Sequence, residues 1–149
     1  LSAFIIVLTI GVTLGLFYVM ETTGVTPDGT IEQFNGSESS SIDIPDKYAK
    51  RYSDMLLTTH NHIISFSIIF ILLGFIFIHN SILSKRMTFF LVIEPFLATI
   101  STFGSLWLIR YCSPLFVWLT IISSTLLYTS FYVIIIVSIY DLLFNTNQE

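Results

Sequence analysis

The sequence predicts an all-α membrane protein: a four-transmembrane-helix bundle, residues 1–149 as a single membrane domain, with one extracytoplasmic loop between helices 1 and 2. Three observations carry that reading. Of the 149 residues 54% are hydrophobic and only 11% charged, far from the quarter-charged makeup of a soluble domain. Four continuous apolar runs, at about 3–20, 56–78, 87–109 and 114–140, approach or exceed the roughly 20 residues a helix needs to cross the hydrocarbon layer. The runs do not alternate polar with apolar residues, so a β-barrel does not compete.

The first run carries Gly11-Val12-Thr13-Leu14-Gly15, a G-x-x-x-G whose small residues let another backbone approach, within this chain or from another subunit. Residues 21–54 follow as the polar loop, holding seven of the ten acidic residues. Its first half has turn chemistry at Pro27-Asp28-Gly29 and Asn35-Gly36. Asn35-Gly36-Ser37 also fits a glycosylation acceptor, a pattern that the turn explains equally well. Pro45, behind Asp43 and Ile44, suits a first helical position, and Ile44, Tyr48, Tyr52, Met55 and Leu56 recur at helical spacing. An amphipathic helix is therefore expected to run from Pro45 straight into the second span.

Lys85 and Arg86 in the connection "HNSILSKRM" favour the inner side, although the loop holds Lys47, Lys50 and Arg51. An aromatic belt of Tyr18, Tyr52, Trp107, Tyr111 and Trp118 would then mark the outer surface.

His60 and His62 stand at the mouth of the second span, in "TTHNH". On a continuous helix, residues two apart point about 200° from each other and cannot share one ion; on an extended segment they lie on one face. Two readings stay open: haem or metal ligands, or polar residues at interface depth bonded to loop backbone, a partner subunit or lipid head groups. His79 lies about 25 Å from His62 along a helix axis, too far to join that site. Arg110 closes the third span near the level of His60 and His62, where Glu21 or Asp54 can approach it. The cluster reads either as a tie between helix ends or as a contact for an anion, quinone or haem propionate.

Within the third span, Glu94 precedes Pro95, roughly 10 Å below the inner surface by helical rise. A carboxyl at that depth is costly unless it is paired, protonated or faces a wet cavity. Glu94, Ala98, Ser101 and Ser105 form one small and polar face expected to meet other helices. Tyr132 and Gly74 fall near the same level and His79 a turn or two below. The alternatives are a proton or ion relay through Glu94, Tyr132 and His79, or a neutral Glu94 hydrogen-bonded at a proline kink. In the fourth span Thr120, Ser124 and Tyr128 repeat every four residues, beside Thr125, Thr129 and Tyr132, as a polar-decorated face.

Cys112 is the single cysteine, which excludes an intrachain disulfide or a multi-thiolate metal site. A net charge of −4 without a basic stripe excludes a nucleic-acid partner. No nucleophile elbow, phosphate-binding glycine loop, H-E-x-x-H or C-x-x-C occurs, so no catalytic activity of its own is expected.

Taken together, "TGVTPDGTIEQFNGSE", "IP", "TTHNH" and "WLIRYCSP" resemble a group of small, uncharacterised bacterial four-span inner-membrane proteins with an H-x-H at the start of the second span. That pattern often carries a His-Tyr pair before the loop glycine, where this chain has Gln33-Phe34, so one candidate ligand is missing. The resemblance implies a bacterial inner membrane, beside respiratory or cytochrome proteins. Three functions follow as expectations. The first is a non-catalytic accessory subunit of a larger, energy-transducing membrane complex, with other integral membrane subunits and the lipid bilayer as partners. The second is a small haem- or metal-binding protein using His60 or His62. The third is proton or ion conduction through Glu94.

Overall fold

A computed structural model describes residues 1–37 and 46–144. Its helices are α1 (Ser2–Thr23), α2 (Pro27–Asn35), α3 (Tyr52–Phe77), α4 (Lys85–Tyr111) and α5 (Val117–Phe144), the last entered through a 3-10 turn at Pro114–Phe116. No strand occurs among the described residues. Four helices, all but α2, are long and apolar enough to cross a membrane, and the protein is an integral, multi-pass membrane protein.

α4 is the hub. It packs along α5 and also against α3 and α2, whereas α1 touches mainly α2 and α5. Half of the α4 span is buried inside the chain, against 11% for α1 and 22% for α3. The reason lies in the side chains. α4 offers small or hydroxyl residues at Thr88, Ala98, Thr99, Thr102 and Ser105, over which a second backbone can close, while α1 buries only Ile5 and Thr23 and turns bulky apolar residues outward. One apolar core, including Phe70, Phe77, Leu91, Leu127, Phe131 and Ile134, fills the half of the bundle away from the loop. A second, built on Met55, Phe103, Leu106, Ile109 and Val117, lies beneath the loop and takes in Ile31 and Phe34 of α2.

The loop departs from expectation twice. Pro27-Asp28-Gly29 opens a helix rather than a turn: Thr26 accepts from the Gly29 N–H at 3.0 Å, Pro27 occupies the first helical position, and Asp28 lies in the first turn. Gly24 ends α1 in the left-handed conformation (φ 58°) and Val25 follows at φ 55°, unusual for a β-branched residue, which reverses the chain within three residues. Gly29 is required by proximity, because a Cβ there would lie 2.0 Å from the Thr23 carbonyl oxygen.

The amphipathic helix expected from Pro45 does not continue into the span. Pro45 itself lies outside the described residues, residues 46–51 are not helical, and α3 begins at Tyr52 behind Arg51. Those backbone groups are committed elsewhere. The Lys50 N–H bonds to Phe34 O (2.9 Å) and Lys47 O receives the Ser37 N–H (3.0 Å), so the segment lies back along the end of α2. Gly36 (φ 87°) makes the turn, as Asn35-Gly36 suggested, with Ala49 N 2.8 Å from where a Cβ would be.

Candidate functional site: a polar seam within the bundle

The antiparallel contact of α4 and α5 carries a run of buried hydroxyls. Ser105 and Thr120 share a hydrogen bond at 2.6 Å, Thr102 donates to Ser123 at 2.9 Å, and Ser130 donates to Glu94 Oε2. Unspent capacity goes to backbone: Ser105 to Thr102 O, Thr99 to Pro95 O and Ser123 to Leu119 O, all within 2.8 Å. Buried apolar residues of the same two helices, Leu91 and Ala98 on α4 and Leu127 and Ile134 on α5, are interspersed with the polar ones.

Glu94 is the single carboxyl of this seam. It is 8% exposed, and Ser130 is 4% exposed. Pro95 carries no N–H to return to the Leu91 carbonyl, and it directly follows the residue whose carboxyl reaches across to α5. Among the described residues the one ion pair is Arg51–Asp54 at the surface, so Glu94 meets a neutral hydroxyl and no cation.

The expected neighbours are elsewhere. Tyr132 OH lies 2.9 Å from Thr13 Oγ1 of α1, tying that helix to α5 instead of donating to Glu94. His79 sits in the turn after α3, its Nδ1 donating to Phe75 O at 3.0 Å, and lines a cavity with Asp141. Gly74 is buried where α3 crosses α4, with Val92 Cγ1 3.4 Å from the position of an added Cβ. Ser101, expected on the inward face of α4, is only half-buried, and on α5 the buried polar positions are Thr120, Ser123, Ser130 and Ser138 rather than the Thr120, Ser124, Tyr128 ridge. A signal for the missed residues existed: from Thr120, steps of three and four residues reach Ser123, Leu127, Ser130, Ile134 and Ser138, the spacing of one buried helix face.

At the loop end, α3 runs unbroken through residues 59–62, so His60 and His62 point different ways and do not converge on one ion. Both are exposed. His62 Nδ1 donates to Thr58 O at 2.8 Å, and its ring lies 4.8 Å from that of Phe103. No group of three or more His, Cys, Asp or Glu suited to a metal occurs among the described residues. Arg110 joins neither histidine nor an acid: its Nε donates to Lys50 O at 3.1 Å and its guanidinium stands 5.2 Å from the Tyr111 ring. Asp54, considered as its partner, pairs with Arg51 at 3.1 Å. Arg110 therefore pins the returning loop. Asn35 Nδ2 helps by donating to Ile109 O near the end of α4, and Lys47 Nζ donates to Thr22 O near the end of α1.

Trp107 Nε1 donates to Thr59 Oγ1 at 2.8 Å, with Tyr52 edge-on to it at 5.4 Å and Tyr111 at 5.6 Å. These rings form one aromatic patch at the loop end, and His60 to His62 follow directly behind it.

Gly11 and Gly15 meet nothing within 4 Å of an added Cβ. Their face of α1 points away from the rest of the chain.

Residues 24–149 match a family described as a transmembrane helical domain, a match that covers α2 to α5 and begins where α1 ends. No curated protein and no solved structure matches the chain.

Proposed function

We propose, from the premise that the chain belongs to the Aq_1264_TM family of transmembrane helical domains, that it acts as a non-catalytic accessory subunit docked through α1 to other integral membrane subunits. The observation that carries this reading is the outward placement of Gly11 and Gly15, one turn apart on a span that buries little against its own chain. A glycine pair costs helix propensity and contributes no side-chain packing. Where it faces away from the chain, its use is to let a second helix approach. The rest of the chain is self-sufficient by comparison, since α3, α4 and α5 share an apolar core, and α4 and α5 are joined by hydroxyl pairs that bond each other. The complex we have in mind is an energy-transducing one, in keeping with the bacterial inner-membrane setting that the sequence resemblance implies.

Photo-crosslinking in native membranes tests the reading. A benzophenone side chain at Leu14, exposed beside the glycines, should give discrete adducts with one or two membrane proteins, while the same probe at Leu97 on the exposed face of α4 should not. Mass spectrometry of the adducts names the partners. Equal, diffuse labelling from both positions, with the solubilised chain migrating alone, would remove the proposal.

A further inference from the structure

Between α1 and α2 the chain reverses through two consecutive left-handed residues, Gly24 (φ 58°) and Val25 (φ 55°). Glycine adopts that conformation freely, whereas a β-branched side chain is strained in it. Val25 is 68% exposed, so packing of its side chain does not offset the strain. Strain of this kind persists only where surrounding contacts over-determine it. The bonds within the turn are long: the Val25 N–H donates to Thr23 Oγ1 at 3.2 Å, and Thr26 donates through N and Oγ1 to Thr23 O at 3.3 Å. A shorter, charged one crosses it, from Lys47 Nζ to Thr22 O at 2.8 Å. Lys47 is fastened to the far side of the turn. Its N–H donates to Ser37 Oγ at 3.1 Å and its carbonyl accepts the Ser37 N–H, while Asn35 holds Ile109 O of α4 and Phe34 enters the core beneath the loop. Along the rest of α1, Ile5 is the one buried apolar side chain, and Thr13 makes the one side-chain hydrogen bond to another helix among the described residues, to Tyr132. In lipid such apolar packing is given up at little cost, because acyl chains are as apolar as the core.

We propose that α1 is a hinged arm, with Gly24-Val25 as its hinge and the Lys47 ammonium on Thr22 O as its latch. When the latch opens, Val25 relaxes to negative φ and α1 swings away from α5. The hinge stands on this chain's own contacts; that its motion offers the Gly11 and Gly15 face to another helix rests on the docking reading above. From Gly24 to Ile6 the arm is about 27 Å long at 1.5 Å per residue. A swing of about 20°, an ordinary tilt for a spanning helix, therefore moves its far end by about 9 Å.

Pulsed electron double resonance on the purified full chain in lipid nanodiscs tests this, with nitroxides at Ile6→Cys on α1 and Ile136→Cys on α5, both exposed, in a Cys112→Ser background. The latched chain should give one narrow distance peak. Lys47→Met should add a second population displaced by up to about 9 Å. Val25→Gly relieves the strain of the closed turn, so adding it to Lys47→Met should shrink the displaced population about fivefold. A second pair, Leu97→Cys on α4 and Leu126→Cys on α5, should hold its distance in every variant, which shows that the bundle itself stays folded. An unchanged Ile6–Ile136 distance in Lys47→Met overturns the proposal. So does a displaced population that Val25→Gly leaves as large or enlarges, or equal broadening of the Leu97–Leu126 pair. Discrete crosslinks from Leu14 together with an immobile α1 would leave the docking reading standing and remove the hinge alone.

Discussion

Replacing Ser130 with alanine probes the centre of the bundle, because it removes the one side-chain donor that reaches Glu94 among the described residues. Both residues are buried, at 4% and 8% exposure, so water cannot replace the hydroxyl at low cost. Leaving a buried acceptor unpaired costs about 1–3 kcal/mol, while interhelical hydrogen bonds measured within membranes average about 0.6 kcal/mol and reach about 1.7. Ser130→Ala should therefore destabilise the bundle by about 1–2 kcal/mol. Glu94→Gln keeps an acceptor for Ser130 and should stay within about 1 kcal/mol of wild type. In a cycle of Glu94→Leu, Ser130→Ala and the double variant, the coupling energy should fall at about 0.6–1.7 kcal/mol. The assay is unfolding by sodium dodecyl sulfate in mixed micelles, read by the fluorescence of Trp107 and Trp118. Ser124→Ala is the control: Ser124 is half-buried and bonds only to Ile121 O, so its loss should be near neutral. If Ser130→Ala and Ser124→Ala were indistinguishable, the claim that Glu94 depends on this rung would fail.

Three further outcomes follow from the geometry. Gly29→Ala gains about 1 kcal/mol of helix propensity but sets a methyl 2.0 Å from backbone, so it should lower the unfolding midpoint, whereas Gly74→Ala meets Val92 at an ordinary 3.4 Å and should be close to neutral; the reverse order in thermal unfolding would contradict the packing. Trp107→Phe keeps the ring and loses the bond to Thr59, so a loss of about 0.5–1.5 kcal/mol is expected, with little more when Thr59→Val is added; additive losses would show that the two residues act separately. Arg110→Met releases Lys50 O, and trypsin should then cut after Lys50 several-fold faster in detergent-solubilised protein; an unchanged rate would mean that α2 alone secures the loop.

The spans were legible because the signal for them is local. An 18- to 20-residue apolar stretch is costly to leave in water and at ease in lipid whatever it packs against, so expected and observed spans agree to within a few residues. α2 was also legible in principle, through Thr26 as cap and Pro27 behind it, but Pro-Asp-Gly serves turns equally well. The place where α3 begins was not legible. Pro45 and the amphipathic spacing argue for a helix, and what commits residues 46–51 elsewhere is a pair of hydrogen bonds, to Phe34 O of α2 and from the Ser37 N–H just beyond it, formed only once the loop folds back.

The same division holds for the candidate site. Glu94 could be found from sequence alone, because a carboxyl inside an apolar span is conspicuous wherever it points. Its partner could not. Ser130 and Tyr132 lie two residues apart on α5, and the rotation of α5 about its own axis sends one to Glu94 and the other to Thr13. That rotation is set by the fit of Leu127, Phe131 and Ile134 into the core, a property of the assembled bundle. His60 and His62 are likewise plain in the sequence, and the continuity of α3 through them decides that they do not converge. Composition and apolar length thus determined by themselves that this chain crosses a membrane four times, since transfer into lipid depends on each segment alone. Which polar groups meet was left to the tertiary structure, because hydrogen bonds need two helices brought into register, and that register comes from packing.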